Sequence, residues 1–336
     1  MGERPTVVLA MAPALTQGMI TPAHLARLRA SCALPDPAPL VRFDDPRAAA
    51  LLLRAEILLT GWGAPPVDAA VLERAPGLRA IAHAAGTVKN VVTPACFARG
   101  VRVVSAAAAN ALPVAEYTLA AILLANKRIF RIGRRYTELR AFRLWPQEFP
   151  GLGNRGKRIG VVGASRVGRR VIELLRPFDF TVLVHDPYLE ASEARKLGVE
   201  ALELDDLLRR SDVVTLHAPS LPGTRHMLDA RRLGLLRDGA VLVNTARGAL
   251  VDPAALEREL VSGRIDAVID TTEPEVLPAD SPLYDLPNVF LTPHVAGALG
   301  PETQRLLELV LDEIERFVRG EPLRHEVRAE DWERIA

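Results

Sequence analysis

Ile159-Gly160-Val161-Val162-Gly163-Ala164-Ser165-Arg166-Val167-Gly168 is the stretch on which the fold turns. A short apolar, β-branched run over 158–162 ends at a glycine, and a helical pattern starts just beyond Ser165. Gly163 and Gly168 take the first and third places of a G-x-G-x-x-G turn, with Ser165 in the second. The first glycine permits the tight turn, and the third lets the helix lie close to the strand. The second normally lets backbone approach a pyrophosphate seated on the helix N-terminus. Ser165 places a Cβ at that point and offers a hydroxyl that can bond a phosphate oxygen. Asp186 follows the next strand, over 181–185. A carboxylate there accepts from adenosine ribose hydroxyls and repels a 2′-phosphate. No arginine occurs in 186–190, so NAD is favoured over NADP.

Outward from this turn, strands and helices alternate in both directions. Upstream, strands are expected over 7–11, 56–60, 78–84 and 101–105. Thr21-Pro22, Asp68 and Thr93-Pro94 open the intervening helices. A long helix is expected from near Pro113 past Lys127, with Leu119, Ile122, Leu123, Asn126 and Ile129 on one face. The proline- and glycine-rich stretch 145–156 reads as a loop. Downstream, strands are expected over 158–162, 181–185, 212–217, 240–244, 265–270 and 289–292. A last helix, over 301–319, carries Leu306, Leu307, Val310, Ile314 and Phe317 on one face. The fold class is therefore α/β: two Rossmann-like or flavodoxin-like doubly wound parallel-sheet domains, the larger one binding a dinucleotide.

Composition narrows the function. The chain has 336 residues, enough for about two domains, and 42 basic residues balance 41 acidic ones. Nothing in that balance suggests a surface for nucleic acid or polyphosphate, and no nucleic-acid partner is expected. The longest apolar stretches fall short of the roughly 20 residues that cross a bilayer, so no membrane partner is expected. The segment 6–12 could pass for a signal-peptide core, but Glu3 beside Arg4 makes a poor start and a buried first strand fits better. Gly2 with Thr6 fits a short, loose myristoylation pattern. Cys32 and Cys96 show no metal-binding spacing and read as small apolar residues of a cytoplasmic, reducing environment. No metal is expected.

Three polar residues stand just past strand ends in the second half. Arg247 lies in Asn244-Thr245-Ala246-Arg247-Gly248, Glu275 in Asp270-Thr271-Thr272-Glu273-Pro274-Glu275, and His294 in Thr292-Pro293-His294-Val295-Ala296-Gly297. The carboxyl ends of strands in a doubly wound sheet form one ligand crevice, so a guanidinium, a carboxylate and an imidazole converge there. The guanidinium can clamp a substrate carboxylate and polarise a carbonyl. The imidazole can protonate a new alkoxide, and the carboxylate can orient the imidazole. This set suits hydride transfer between a nicotinamide and a small 2-oxo or 2-hydroxy acid.

These three motifs together closely resemble the signatures of the D-isomer-specific 2-hydroxyacid dehydrogenases. The resemblance runs from about Ala80 to Gly300 and more loosely to both ends. Ala109 through Glu116 fits the start of the family's long interdomain helix, and His217-Ala218-Pro219 fits its cofactor-side loop. The resemblance implies that Arg247 binds substrate and that His294, paired with Glu275, is the acid/base. It implies that Asp270 meets the nicotinamide carboxamide, and that Ala85, Gly86, Thr87 and Val88 offer backbone N–H groups to the substrate carboxylate. Arg166, Val167, His217, Pro219, Thr224, Thr245, Ala246 and Gly297 join Gly163, Ser165, Gly168 and Asp186 as the expected cofactor residues. A substrate domain over 1–112, completed by 301–336, and an NAD-binding domain over 113–300 are implied, with a hinge between them and a homodimer built around the long helix. The sequence departs from the family's pattern at Ser165, at Lys89 where aspartate is common, at Tyr117 where histidine is frequent, and at His226 in a common glycine place. A non-catalytic NAD-sensing binding protein or corepressor of the same fold is the alternative; retention of Arg247, Glu275 and His294 argues for chemistry. Glu275 argues against a formate-type member, which carries glutamine there.

Overall fold

The structure, a computed structural model, describes residues 4–335; Gly2, and with it the myristoylation pattern, lies outside them. The chain divides into two compact units. One takes the chain up to Ala111 and again from Ala298 onward, and the other is Leu112–Gly297.

In the first unit, β1 (Val7–Ala10), β2 (Ile57–Thr60), β3 (Ala80–His83) and β4 (Arg102–Ser105) lie side by side in that order, all parallel. Their runs are almost entirely buried, because helices cover both faces of the sheet. Alternate residues feed the two layers. Val7, Leu9, Ile57 and Leu59 pack with Leu307, Val310, Leu311 and Ile314 of the helix Glu302–Val318. Val8, Leu58, Ile81 and Val103 pack with Val71, Leu72 and Cys96 on the other side. Both cysteines are buried and free. Asp68 caps the helix Ala69–Arg74 through the Val71 amide at 2.9 Å. Thr93 does not cap the helix Pro94–Ala98 with its side chain; its hydroxyl donates to the Val67 carbonyl at 2.7 Å.

Two edges were not legible in the sequence. Glu326–Val327 pairs antiparallel with β4, held by Arg102 and Glu326 at 2.7 and 3.1 Å. On the other side of β1 the chain makes only isolated parallel bridges, Thr6 with Ala33 and Ala10 with Leu40. Pro35, Pro37 and Pro39 lie between these bridges and lack the N–H that a ladder needs.

The second unit holds β5 (Lys157–Val162), β6 (Phe180–His185), β7 (Glu200–Ala201), β8 (Val213–Leu216), β9 (Val241–Asn244), β10 (Asp266–Ile269) and β11 (Val289–Leu291). All are parallel, in the order β11-β10-β9-β8-β5-β6-β7. The strand order reverses between β5 and β8, which opens a crevice at their carboxyl ends. The two-residue edge strand β7 is exposed and carries no apolar run from which to read it.

The long helix differs most from expectation. It spans Ala107–Asn126, starting upstream of Pro113, and Arg128, in a left-handed conformation, separates it from the next helix. Ser105 supplies the start, its hydroxyl accepting from the Ala107 amide at 3.1 Å. A separate helix, Ile129–Leu139, follows, so Ile129 does not share the buried face; Ala115, Thr118, Ala121, Ile122, Ala125 and Asn126 do. At 20 residues, Ala107–Asn126 is long and apolar enough, by length and composition, to cross a membrane, which corrects the sequence reading. Asn110 and Glu116 interrupt the apolar run and hid it. In this fold Ala115, Ala121, Ile122 and Ala125 pack into the core of the second unit. The stretch read as a loop contains one helical turn, Trp145–Glu148.

Candidate active site

The fingerprint turn is built as its glycines require. Gly163 has φ +97°, and a Cβ there would stand 2.7 Å from the Ala218 nitrogen. A Cβ on Gly168 would stand 2.0 Å from the Gly163 carbonyl oxygen. Ser165 is the N-cap of the helix Arg166–Leu175, its oxygen accepting from the Gly168 amide at 3.3 Å. That bond leaves the hydroxyl hydrogen to donate. Asp186 is fixed by the Ala164 amide at 2.7 Å and the Tyr188 amide at 2.8 Å, one to each oxygen. The tight glycine turn, the helix N-terminus beside it and an oriented carboxylate beyond β6 fit a dinucleotide.

The remaining expected cofactor residues divide into surface and support. Arg166 is exposed, and Val167 and Gly297 are half-buried. His217 is buried, and its Nε2 lies 2.9 Å from the Thr215 hydroxyl; burial pushes its imidazole down to about 3. It supports the glycine turn from below. Thr224 closes the loop after Pro219 by donating to the Pro219 carbonyl at 2.6 Å. The Ala246 amide is held by the Asn244 side chain at 3.1 Å, and Thr245 is hydrogen-bonded to Thr118 at 3.0 Å.

Neighbouring strands β9, β10 and β11 carry Arg247, Glu275 and His294 on the segments beyond their ends. Asn244 holds the turn after β9 by donating to the Arg247 carbonyl at 2.9 Å. Gly248 lets this turn touch the next one, since a Cβ there would stand 2.1 Å from the Thr272 carbonyl carbon. Arg247 is half-buried. Desolvation lowers its pKa from the ordinary arginine value, and the Glu275 charge opposes that shift. A partly dehydrated guanidinium offset by one carboxylate is prepared to take an anionic ligand.

His294 sits at φ +56°, a left-handed conformation that residues other than glycine adopt uncommonly. Its amide donates to the Asp270 carbonyl at 2.8 Å, and its Nδ1 pairs with Glu275. The side chains are 45% and 61% exposed, so the pair stands open to a ligand. Asp270, only 2% exposed, accepts from the Thr292 hydroxyl at 2.6 Å, the Val295 amide at 2.8 Å and the Ala296 amide at 3.0 Å. It therefore organises the histidine loop and keeps one acceptor position on Oδ2. Beside it the buried Thr271 hydroxyl has no partner among the described residues.

In the first unit, Ala85 and Val88 are buried and Gly86 and Thr87 half-buried. Ser105 donates to the Gly86 carbonyl at 2.6 Å, and His83, hydrogen-bonded to the Thr60 hydroxyl at 2.9 Å and to the Thr87 backbone, braces the same loop. Burial pushes the His83 imidazole down to about 4. The Lys89 ammonium lies 5.8 Å from the centre of the Trp332 ring. Sequence reasoning passed over Asn244, Gly248, Thr292 and His83. The first three lie inside the quoted motifs, but their work is backbone support that only the folded turns reveal.

Residues 119–296 match the D-isomer specific 2-hydroxyacid dehydrogenase, NAD binding domain, family, so the cofactor is NAD. A D-3-phosphoglycerate dehydrogenase of Mycobacterium bovis is 36% identical over 279 residues, 82% of this chain and 50% of that protein. A glyoxylate reductase of Korarchaeum cryptofilum is 34% identical over 258 residues, 76% of this chain and 78% of that protein. The chain thus spans about half the length of the phosphoglycerate dehydrogenases it matches. A D-lactate dehydrogenase of Aquifex aeolicus, solved with NAD and lactic acid, is 27% identical, with a TM-score of 0.73 over 94% of this chain and 96% of that one. Gly163, Asp186, Arg247, Glu275 and His294 all fall within the residues that the family model matches, and the chain belongs to the D-isomer-specific 2-hydroxyacid dehydrogenase family.

Proposed function

We propose that this chain catalyses NAD-dependent hydride transfer at C2 of a small 2-hydroxy or 2-oxo acid, with Arg247 binding the substrate carboxylate and His294, paired with Glu275, moving the proton. The observation that carries the reading is the arrangement on β9, β10 and β11: a partly dehydrated guanidinium, and an open imidazole whose Nδ1 is already engaged by a carboxylate. NAD, when bound, supplies or accepts the hydride. Arg247 gives the substrate carboxylate two parallel N–H donors and fixes C2 relative to the imidazole. With Nδ1 held by Glu275, Nε2 of His294 is the atom that donates the proton to the alkoxide oxygen in reduction and takes it back in oxidation. Asp186 turns away a cofactor carrying a 2′-phosphate. The relatives are named for 3-phosphoglycerate, glyoxylate and lactate, whose common part is the 2-oxygenated carboxylate, so the proposal is made at that level.

We also propose a homodimer. The helix Ile129–Leu139 has no buried residue, and Tyr136, Phe142 and Leu144 are 57%, 84% and 56% exposed, an apolar display suited to a second copy. Sedimentation would read twice the chain mass, and a monomer would overturn this part.

The test mixes the protein with NADH or NADPH and 2-oxo acids of graded size and charge, following loss of NADH absorbance. Oxidation dependent on the oxo acid is expected, with NADH preferred and the preference narrowed in Asp186→Ser. NADH binding without turnover on any 2-oxo acid would instead make the chain a non-catalytic NAD-binding protein.

A further inference from the structure

The long helix reaches the histidine loop through one phenol. The Tyr117 hydroxyl lies 2.7 Å from the Thr292 hydroxyl, which lies 2.6 Å from Asp270 Oδ1. A carboxylate only accepts, so Thr292 spends its one hydrogen on Asp270. Tyr117 must then be the donor to Thr292. Burial, with the nearby Asp270 charge, raises the Tyr117 pKa above the ordinary tyrosine value and keeps that hydrogen in place. Asp270 in turn holds the amides of Val295 and Ala296, and its carbonyl holds the His294 amide. The next residue on the helix, Thr118, donates to the Val114 carbonyl, so it accepts from the Thr245 hydroxyl in the turn that carries Arg247. Two consecutive helix residues therefore latch the two loops that bear the candidate cation and imidazole.

We propose that Tyr117 is a positioning residue for His294, acting through Thr292 and Asp270 to hold the histidine loop in its strained conformation. The inference rests on the reading of His294 as the proton carrier. A left-handed residue persists only where its surroundings over-determine it, and three donors on one buried carboxylate do so here. Removing the terminal donor frees a lone pair on Thr292 and lets that hydroxyl turn away from Asp270. The ring of Tyr117 packs in the core, and phenylalanine keeps that packing.

The test is a double-mutant cycle on kcat with the best 2-oxo acid found for the wild type. Tyr117→Phe should lower kcat about three- to tenfold, the size of one neutral hydrogen bond, and leave KM and the NADH Kd within about twofold. Thr292→Val should lower kcat at least as much, Thr292→Ser should restore it, and Tyr117→Phe with Thr292→Val should be no worse than Thr292→Val alone. Losses that multiply, or a Tyr117→Phe kcat equal to wild type, would overturn the proposal. Amide hydrogen exchange on the ligand-free protein gives a readout independent of turnover. Val295 and Ala296 should exchange about three- to tenfold faster in Tyr117→Phe, while the β9 amides stay unchanged. If the wild type reduces no 2-oxo acid, the functional reading fails, and this exchange measurement still decides whether Tyr117 holds the loop.

Discussion

Two imidazole–carboxylate pairs draw their carboxylates from the same loop and differ in what stands behind them. Glu275 pairs with His294, and Glu273, two residues earlier, pairs with His226 at 3.1 Å. Both histidines are left-handed, at φ +56° and +49°, and each donates its amide to a backbone carbonyl at 2.8 Å, Asp270 for one and Ala249 for the other. Glu273 is shared. Arg225 bonds its second oxygen at 2.7 Å, and Arg225 first, then His226, holds the carboxyl below its ordinary range. That pair is a neutralised surface triad. His294 instead rests on a buried aspartate with three donors and faces the same carboxylate whose charge reaches Arg247. The imidazole and carboxylate alone do not define a site; the buried anchor and the neighbouring cation do.

The comparison can be broken by substitution. His294→Gln is expected to lower kcat roughly 10²–10⁴-fold, the usual worth of a positioned acid/base, whereas His226→Gln should leave kcat within a few-fold. Comparable losses in steady-state rates would erase the distinction drawn between the pairs. A smaller effect separates the cations. Arg247→Lys keeps the charge but loses the planar fork, and should reduce kcat/KM by a few kcal/mol in transition-state terms; Arg225→Lys, exposed and salt-screened, should change it little. An unchanged kcat/KM in Arg247→Lys would remove that residue from the substrate.

A further effect, on stability rather than on rate, contrasts these open histidines with the buried His83. His83 is pushed down to about 4 from an ordinary 6.5, so the fold binds fewer protons there than the unfolded chain does. Its contribution is fully present above pH 6.5 and is lost as the pH falls toward 4, levelling below that, with a ceiling of about 3 kcal/mol. Melting curves at several pH values should show a steeper decline for the wild type than for His83→Gln across that window. Parallel declines would mean that His83 contributes nothing to the loss of stability in acid.

Much of this was legible because strand ends and glycine turns announce themselves locally. Gly163 and Gly168 are forced by sterics that any βα turn of this kind imposes, and Arg247, Glu275 and His294 follow directly from apolar runs whose ends are visible. What escaped reading was long-range or weakly patterned. The helix start at Ala107 depends on a serine that also terminates β4. The edge strands Glu200–Ala201 and Glu326–Val327 are too short to show a period. Tyr117 and Thr292 are 175 residues apart, and no local pattern joins them. His226 carried only the oddity of a side chain in a glycine place, and its partner became apparent once the loop was folded.

The proline-punctuated segment beside β1 has a consequence for how the protein behaves in a crowded solution. An unpaired sheet edge is a template on which another chain can add a strand. Here the outermost layer carries Pro35, Pro37 and Pro39 between its two bridges, and none of these can donate to an incoming backbone. The segment shields the edge of β1 without becoming a new edge itself. Replacing the three prolines with threonine or valine would turn 33–40 into a strand on which a second chain can dock, lowering solubility while the strand-end residues stay as they are.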